Sequence, residues 1–218
     1  MSKVVLITGA SSGIGKEIAE YLSSNNFKVY GTCRNPKNYA INSFELIKCD
    51  ILNNKEILSS VDYVIKKEKK IDVLVNNVGV GITGPIEETK QEDIIQAFKI
   101  NCFGPLEITK KCISHMRKND KGLIINITSV LGYFGNSYRG ICSATKSSME
   151  MIGESLNMEL KKFNIKVVNI APGDFKTDII SRRIYPVVKK NSVYFEDYQN
   201  SLGKANTHVT NANSPKII

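Results

Sequence analysis

The sequence predicts an α/β fold: a parallel sheet of about six strands covered by helices on both faces. Short apolar runs typical of buried strands alternate with stretches of helical spacing along most of the 218 residues. Parallel sheets need this alternation, because helices connect their strands and bury both faces. A glycine-rich turn between the first strand and the first helix is the second observation, and it also indicates where a ligand binds.

Six apolar runs are the candidate strands: residues 4–7, 27–33, 44–49, 71–75, 123–128 and 165–170. Helical spacing follows in the stretches between them: from residue 16, and over 53–69, 91–100 continuing to about 118, and 137–163. We expect a local irregularity at Gly104-Pro105, because proline lacks the N–H that a helix interior uses.

The organisation of the chain is predicted to be a single domain over residues 1–218, since no repeat or linker divides it. No apolar seventh strand follows residue 170. Residues 179–218 are expected to form a lid segment and a poorly ordered tail, because 206–215 are mostly polar with few apolar anchors.

The turn after the first strand reads Thr8-Gly9-Ala10-Ser11-Ser12-Gly13-Ile14-Gly15. At a strand-to-helix turn, free backbone N–H groups and the helix dipole attract a phosphate. Gly9 is expected to permit the tight turn, Gly13 to let the backbone approach the ligand, and Gly15 to allow close packing of helix on strand. The pattern predicts a dinucleotide cofactor held by these residues: Thr8, Gly9, Ser11, Ser12, Gly13, Ile14 and Gly15.

The composition excludes several classes of protein. Hydrophobic residues make up 42% and charged residues 23%, and no stretch reaches the roughly 20 apolar residues of a membrane helix. Five cysteines without a CxxC pair, with only two histidines, predict reduced thiols, a cytoplasmic location and no metal site. The net charge of +9 is either a solvated basic surface or an attraction for a phosphorylated cofactor. No nucleic-acid-binding motif accompanies it.

Five patterns in a fixed order make residues 3–178 resemble the short-chain dehydrogenase/reductase family. They are the turn from Thr8 to Gly15, the turn Asn76-Asn77-Val78-Gly79, Asn101, Ser129 after the fifth strand, and Pro172-Gly173 with Thr177. The resemblance implies a Rossmann-type, doubly wound parallel sheet with the cofactor across the carboxyl ends of its strands.

The family's catalytic set is an asparagine, a serine, a tyrosine and a lysine, with the tyrosine four residues before the lysine. Asn101 and Lys146 match, and Ser129 lies 13 residues before position 142, but position 142 is Cys142. By resemblance, the serine stabilises the developing oxyanion, and the phenol donates the proton. The lysine lowers the phenol's pKa and holds the ribose, and the asparagine anchors a water chain that feeds the lysine.

A thiol at position 142 ends several ångströms short of a phenolic oxygen, so we expect a water to fill the gap. Loss of a general acid costs on the order of 10²–10⁴-fold in rate, and the activity is therefore predicted to be impaired. Cys142 is alternatively a small core thiol, or a thiolate made reactive by Lys146. Tyr138, one helical turn earlier, is too far from Lys146 to substitute.

The residue after the second strand bears on the choice of cofactor. In the family an acid there selects NAD, whereas this chain has Cys33 followed by Arg34. An arginine can bind the 2′-phosphate of NADP bidentately, so NADP is predicted, although a plain surface arginine is the alternative. Asp50-Ile51 resembles the pair that contacts adenine, or else is an acid at a helix N-terminus. The resemblance adds further cofactor contacts: Asn76, Gly79, Lys146, Pro172, Gly173 and Thr177.

These features together predict an NADP(H)-dependent oxidoreductase acting on the carbonyl/alcohol pair of a small apolar substrate. The substrate pocket is expected from residues 80–86, 131–137 and the lid after 177. The alternative is a catalytically silent NADP(H)-binding relative that acts as a sensor or partner subunit. The family's habit further implies a homo-oligomer, a dimer or tetramer, through helices around 101–118 and 138–162.

Overall fold

The computed structural model describes residues 2–41 and 43–217. Its sheet contains six strands: β1 Val4–Ile7, β2 Lys28–Cys33, β3 Glu45–Lys48, β4 Val73–Asn76, β5 Gly122–Ile127 and β6 Ile165–Ile170. Their order is β3-β2-β1-β4-β5-β6, and every neighbouring pair is parallel. This is the Rossmann-type doubly wound sheet, and the predicted fold class and strand number are confirmed.

The described residues form seven α-helices: α1 Gly13–Ser24, α2 Asn54–Glu68, α3 Gln91–Phe98, α4 Gly104–Lys118, α5 Gly140–Leu160, α6 Ile179–Arg182 and α7 Phe195–Asn211. Of these, α1, α2, α4 and α5 pack directly against strands of the sheet. Within the residues that the structure describes, no helix is both long enough and apolar enough to cross a membrane.

The core lies in two layers, one on each face of the sheet. All four residues of β1 are buried; Val4 and Leu6 contribute to one layer, and Val5 and Ile7 to the other. The alternation follows from the period of two in a strand, whose successive side chains point to opposite faces. Strands buried on both sides are therefore apolar throughout, which is why the sequence shows them as uninterrupted runs.

The order of the strands reverses at β1, and this places the site. From β1 the chain builds outward through β2 and β3, then crosses over to β4, β5 and β6 on the other side. Between the carboxyl ends of β1 and β4 the loops diverge and leave a crevice, the usual ligand position in such sheets.

Three asparagines form a ladder across the second half of the sheet. Asn76, Asn126 and Asn169 are register partners on β4, β5 and β6. The side-chain amide of Asn76 donates to Oδ1 of Asn126 (2.9 Å), and the amide of Asn126 donates to Oδ1 of Asn169 (2.9 Å). Asn169 continues the chain by donating to the carbonyl of Glu150 on α5 (3.0 Å).

The irregularity predicted at Gly104-Pro105 is present, as a π-helical turn at Lys99–Phe103 directly before these two residues. Phe103 and Gly104 both have helical backbone angles, so α3, the π turn and α4 follow one another without a break, and Pro105 lies where a regular helix would need its N–H. The turn also carries Asn101, whose side chain bonds to the loop after β4.

The start of α5 also differs from the prediction, which began the helix at residue 137. The helix begins at Gly140, and Tyr138 adopts a positive φ of 61° in the preceding turn. The carbonyl of Tyr138 accepts from the N–H of Gly84 (2.8 Å), and its ring packs on Tyr198 with centroids 5.6 Å apart. These long-range contacts hold the residue outside the helix, so Tyr138 is not on the helical face of Cys142.

The expectation of a frayed segment at 206–215 is wrong. Residues 195–211 form α7, which buries Tyr198, Ala205 and Val209 against the rest of the protein. Beyond α7, the carbonyl of Asn213 accepts from the N–H of Lys176 (3.0 Å), and Pro215 is buried.

Candidate active site

The glycine-rich turn after β1 has the backbone geometry that its glycines predict. Gly9 and Gly13 have φ of 69° and 57°, a region that favours glycine. A Cβ at Gly15 would lie 2.6 Å from the carbonyl oxygen of Gly9 and would overlap the amide of Asn77. Gly15 is therefore needed where α1 passes close to the turn, and any larger residue would push the two apart.

Asn77 ties this turn to the end of β4. Its side-chain amide donates to the carbonyls of Thr8 (2.9 Å) and Gly9 (3.1 Å). In return, the hydroxyl of Thr8 accepts from the N–H groups of Asn77 (3.0 Å) and Val78 (3.1 Å). These four hydrogen bonds were not predicted from the sequence, where the only signal for them is the Asn-Asn-Val-Gly turn.

A cleft of about 520 Å³ opens beside the turn, between the carboxyl ends of β1, β2 and β4. We call it the adenosine cleft, after the part of the cofactor that the sequence analysis assigns there. Seven predicted cofactor residues line it: Thr8, Gly9, Ser11, Arg34, Asp50, Ile51 and Gly79. Arg182, which was not predicted, also contributes to its wall.

Arg34 and Asp50 differ in their freedom to bind a ligand. Arg34 is exposed, and among the described residues no carboxylate lies within 4 Å of its guanidinium. Asp50 is engaged locally, because its Oδ1 accepts from the N–H of Leu52 (3.0 Å). Its backbone N–H is also used, donating to the carboxylate of Glu56 (2.8 Å).

A second cavity, of about 190 Å³, adjoins the adenosine cleft and shares Gly79 and Val80 with it. We call it the catalytic cavity. It brings together three of the four predicted catalytic residues, Ser129, Cys142 and Lys146. The predicted cofactor residues in its wall are Ile14, Gly79, Lys146, Pro172, Gly173 and Thr177.

Five predicted residues line neither cavity: Ser12, Gly13, Gly15, Asn76 and Asn101. Gly13 packs against Thr177, whose Cγ2 would lie 3.4 Å from a Cβ at Gly13. The amide of Asn76 is used within the core, by Asn126 and by the hydroxyl of Thr109 (2.8 Å). Its expected contact with the cofactor therefore has no support in this geometry.

Asn101 lies in the π turn and, without lining the catalytic cavity, bonds to the loop and the helix that form its wall. Its Oδ1 accepts from the N–H of Val80 (2.8 Å), and its amide donates to the carbonyl of Val80 (2.9 Å) and the hydroxyl of Thr145 (3.0 Å). A Cβ at Gly79 would lie 3.3 Å from Oδ1 of Asn101 and 3.4 Å from Nζ of Lys146. The side chain therefore locks the loop after β4 to α5 next to the lysine.

Lys146 points its ammonium toward the end of β5, where Nζ donates to the carbonyl of Ile127 (3.2 Å). Burial lowers the pKa of this ammonium from its ordinary value of 10.5, and the acidic groups of Cys142, Cys102 and Glu150 oppose the shift. A lysine with few bonds of its own, beside a cavity, is available to donate to hydroxyl groups of a ligand.

Ser129 directly follows the loop out of β5 and starts a 3₁₀ turn at Val130–Gly132. Its Oγ accepts from the N–H of Leu131 (3.2 Å), which leaves the hydroxyl proton free to donate into the catalytic cavity. This is the arrangement required to stabilise negative charge on a substrate oxygen.

Cys142 lies one helical turn before Lys146 on α5, and it is partly exposed to the catalytic cavity. No tyrosine is among the described residues that line this cavity. Tyr138 is committed elsewhere, stacked on Tyr198 of α7. The cavity therefore holds a thiol, and no phenol, at the position of the family's proton donor.

Helix α7 covers the catalytic cavity, and sequence reasoning missed it. Val209 lines the cavity, and Asn206 accepts a hydrogen bond from the guanidinium of Arg183 (2.9 Å), itself a lining residue. Tyr198 shares a hydrogen bond with the hydroxyl of Thr83 (3.1 Å). The signal was present as apolar residues at helical spacing, Tyr198, Leu202, Ala205 and Val209, within an otherwise polar segment.

A Rossmann-type sheet with a serine and a lysine at the end of its crevice defines the class of protein: an oxidoreductase built on a nucleotide-binding fold. The family profile described as short chain dehydrogenase matches residues 3–184, and the chain belongs to that family.

Three similar proteins illustrate the membership. The 3-ketodihydrosphingosine reductase of Bacteroides thetaiotaomicron is 37% identical over 201 residues, which cover 92% of this chain and 74% of that protein. A short-chain dehydrogenase from Streptomyces avermitilis superposes with a TM-score of 0.86 at 29% identity, covering 100% of this chain and 80% of that one. ElxO, solved with NADP bound, has a TM-score of 0.77 at 27% identity, covering 94% and 80% of the two chains.

Proposed function

We propose that this protein is an NADP(H)-dependent oxidoreductase that interconverts a carbonyl and an alcohol on a small apolar substrate, with a chemical step slowed by Cys142. The observation that carries the proposal is the pair of adjoining cavities. One is lined by the glycine-rich turn and Arg34, and the other by Ser129, Cys142 and Lys146. The first cavity can hold the adenosine part of a dinucleotide, and the second can hold the reacting oxygen of a substrate.

NADP is proposed because of the charge at the end of β2. Arg34 follows Cys33 there, and no acid occupies the position that would hold the two ribose hydroxyls of NAD. An exposed guanidinium with no carboxylate within 4 Å can bind a 2′-phosphate with two parallel hydrogen bonds. The NADP complex of ElxO supports this choice.

The residues of the catalytic cavity divide the work as follows. The cofactor supplies or accepts the hydride when it is bound. Ser129 donates a hydrogen bond to the substrate oxygen as negative charge develops on it. The Lys146 ammonium holds the nicotinamide ribose and favours the anionic form of a neighbouring donor by its charge. Asn101 keeps the lysine and the loop after β4 in place.

Transfer of a proton to the substrate oxygen is the slow step in this proposal. The Cys142 thiol ends at Cβ–Sγ, several ångströms short of the reach of a phenol, whereas proton transfer needs heavy atoms within about 2.6–3.2 Å. A water between Cys142 and the substrate oxygen completes the path. The longer path explains the slow chemistry that we propose, and the apolar wall of the cavity, with Ile82, Leu131 and Val209, suits an apolar substrate.

The deciding experiment restores the phenol. Cys142→Tyr is expected to raise kcat/KM for NADPH-dependent reduction of a panel of apolar ketones and aldehydes by about 10²–10⁴-fold, because it supplies a general acid. Cys142→Phe is the matched control: it fills the same space without the hydroxyl and is expected to give no gain. If the tyrosine variant binds NADPH and reduces no member of the panel, the reductase proposal fails.

A second candidate function follows from the absence of tyrosine among the described lining residues of the catalytic cavity. In this candidate the protein binds NADP(H) without turnover and reports its redox state to a partner. It predicts tight NADPH binding and no reduction by the wild-type chain over hours. It also predicts a difference in conformation or partner binding between the NADP⁺ and NADPH complexes, which a reductase does not require.

A further inference from the structure

A third cavity, of about 310 Å³, adjoins the catalytic cavity on the side away from the adenosine cleft. The two share Ser129, Leu131, Arg139 and Asp174, so they lie side by side at Ser129. We call it the flanking cavity. Neither the glycine-rich turn nor Arg34 borders it, so it is not part of the proposed cofactor site.

The flanking cavity has a cationic lining. Arg139 is partly buried in its wall, and α7 contributes Lys204 and His208, four residues apart on one helical face. Among the described residues, no carboxylate lies within 4 Å of Arg139 or Lys204. Asp174 is the one acid among the described lining residues, and like Lys204 and His208 it is exposed. The cations therefore keep donors to spare for a ligand.

Arg139 immediately precedes α5, which runs for 21 residues from Gly140, and its carbonyl accepts from the N–H of Ser143 (2.9 Å). The backbone of Arg139 is thus fixed by the helix, while its side chain lines both cavities. Gly140, Ile141 and Cys142, which carry the free N–H groups of the first turn, do not line the flanking cavity, so its positive charge comes from side chains.

We propose that the flanking cavity binds a phosphate or carboxylate group carried by the substrate, a few bonds from its reacting carbonyl. The inference rests on the proposed function, since it places the carbonyl at Ser129, and it refines the proposed substrate from a wholly apolar molecule to one that is apolar around the carbonyl and anionic at its other end. The substrate then has two parts, an apolar part against Ile82 and Val209 in the catalytic cavity and an anionic group at Arg139, Lys204 and His208. Arg139 borders both cavities and so sets the distance between the two parts.

The test compares ketones that differ only in charge. The probes are 4-oxopentyl phosphate against 5-hydroxypentan-2-one, and 5-oxohexanoate against its methyl ester, titrated calorimetrically into the chain saturated with NADPH. Each anion is expected to bind at least about tenfold more tightly than its neutral partner, because charge-assisted hydrogen bonds are the stronger ones. Equal affinities within both pairs would overturn the inference.

Substitutions show which residues cause the preference for the anionic probes. Arg139→Gln and Lys204→Gln are each expected to weaken binding of the anionic probes by about tenfold, and Lys204→Gln, which lies outside the catalytic cavity, is expected to leave binding of the neutral probes unchanged. Lys190→Gln is the matched control, since Lys190 is exposed and lines neither the catalytic nor the flanking cavity. A preference for anions that survives both Gln variants, in chains that keep the wild-type circular dichroism spectrum, would also overturn the inference.

Different experimental results would contradict the proposed function and this inference. Repeating the titrations without cofactor, beside a direct titration with NADPH, separates the two. A chain that binds no NADPH but prefers the anionic probes loses the proposed function and keeps the anion site. A chain that binds NADPH and shows no preference loses only the anion site.

Discussion

In the proposed function, Arg34 is the residue that selects NADP over NAD. It reaches the adenosine cleft from the end of β2 and has no carboxylate within 4 Å among the described residues. Arg34→Ala is expected to raise the Kd for NADPH by about 10- to 100-fold and to change that for NADH little, since hydrogen bonds to charged groups contribute about 1.5–3 kcal/mol.

Fluorescence titrations with the two cofactors check this prediction. Lys37→Ala is the control, because Lys37 is an exposed cation three residues further on that does not line the cleft. An equal loss of NADH and NADPH affinity in the Arg34 variant would count against a 2′-phosphate contact.

Lys146 links the site to the pH dependence of stability. Its pKa is lowered by burial, so between that pKa and the ordinary value of 10.5 the unfolded chain binds more protons than the folded one. The free energy of unfolding therefore increases with pH in this window through Lys146. Relative to Lys146→Met, the wild-type chain is expected to gain stability as the pH rises from 7 toward 10.5.

Urea unfolding of both chains at intervals between pH 7 and pH 10 measures the difference. Titrating groups that do not interact with Lys146 are common to the two chains and cancel, whereas Cys102 and Glu150 interact with its charge and contribute to the difference. If the wild-type chain gains no stability relative to Lys146→Met as the pH rises over this range, burial does not lower the pKa of the Lys146 ammonium.

At the scale of the element, α5 shows how packing overrides helix propensity. A Cβ at Gly153 would lie 2.7 Å from the amide nitrogen of Asn169, whereas nothing lies within 4 Å of a Cβ at Gly203 on α7. Gly203→Ala is expected to stabilise the protein by about 1 kcal/mol, the ordinary gain inside a helix. Gly153→Ala is expected to destabilise it by about 1–3 kcal/mol, because Asn169 must move and lose a hydrogen bond.

The two alanine variants serve as each other's control in thermal or urea unfolding. Stabilisation in both would mean that α5 and β6 can separate without cost. In that case the Asn169 bond to the carbonyl of Glu150 contributes little to stability.

The elements also show what the sequence could predict and why the rest escaped it. Strands and long helices were predictable because burial on fixed faces leaves a period in the sequence, and the glycine-rich turn because positive φ selects glycine. The π turn at Lys99–Phe103 was predictable only as an irregularity near Pro105; the contacts of Asn101 within it were not, since Val80 and Thr145 come from distant segments. Tyr138 was misplaced for the same reason, being held outside α5 by Gly84 and Tyr198.

The site divides in the same way. Ser129 and Lys146, which belong to motifs, were predicted to lie together and do line one cavity. Asn77 and Arg139 were not singled out, because their contacts come from neighbours distant in the chain. Helix α7 was a different kind of miss. Its apolar positions are at helical spacing, but a composition of asparagine, serine and threonine suggested a frayed tail.

At the scale of the whole molecule, exposed apolar side chains lie beside the π turn and along α5. Phe103 is 55% exposed, Met151 55% and Met158 72%. Apolar side chains so exposed on neighbouring helices favour association, and we expect a dimer or tetramer of the 24.3 kDa chain. Light scattering measures the mass, and Met158→Glu together with Phe103→Asp is expected to reduce it to one chain.

Val193→Asp is the control for charge alone, since Val193 is 89% exposed and lies outside these helices. It is expected to leave the mass unchanged. A wild-type mass of one chain at micromolar concentration would end the expectation.

The asparagine ladder bears on how the chain finds its alignment. Strands that are apolar on both faces can slide past one another with little change in the apolar surface that they bury, so their side chains specify position weakly. Asn76, Asn126 and Asn169 remove that degeneracy, because their amides meet only in the observed pairing. If one strand shifts by one residue, its asparagine side chain points to the opposite face of the sheet. If it shifts by two residues, the side chain stays on the same face but no longer lies beside another asparagine. The ladder thus favours the observed alignment of β4, β5 and β6 over alignments shifted by one or two residues, because each shift leaves buried amides without hydrogen-bond partners.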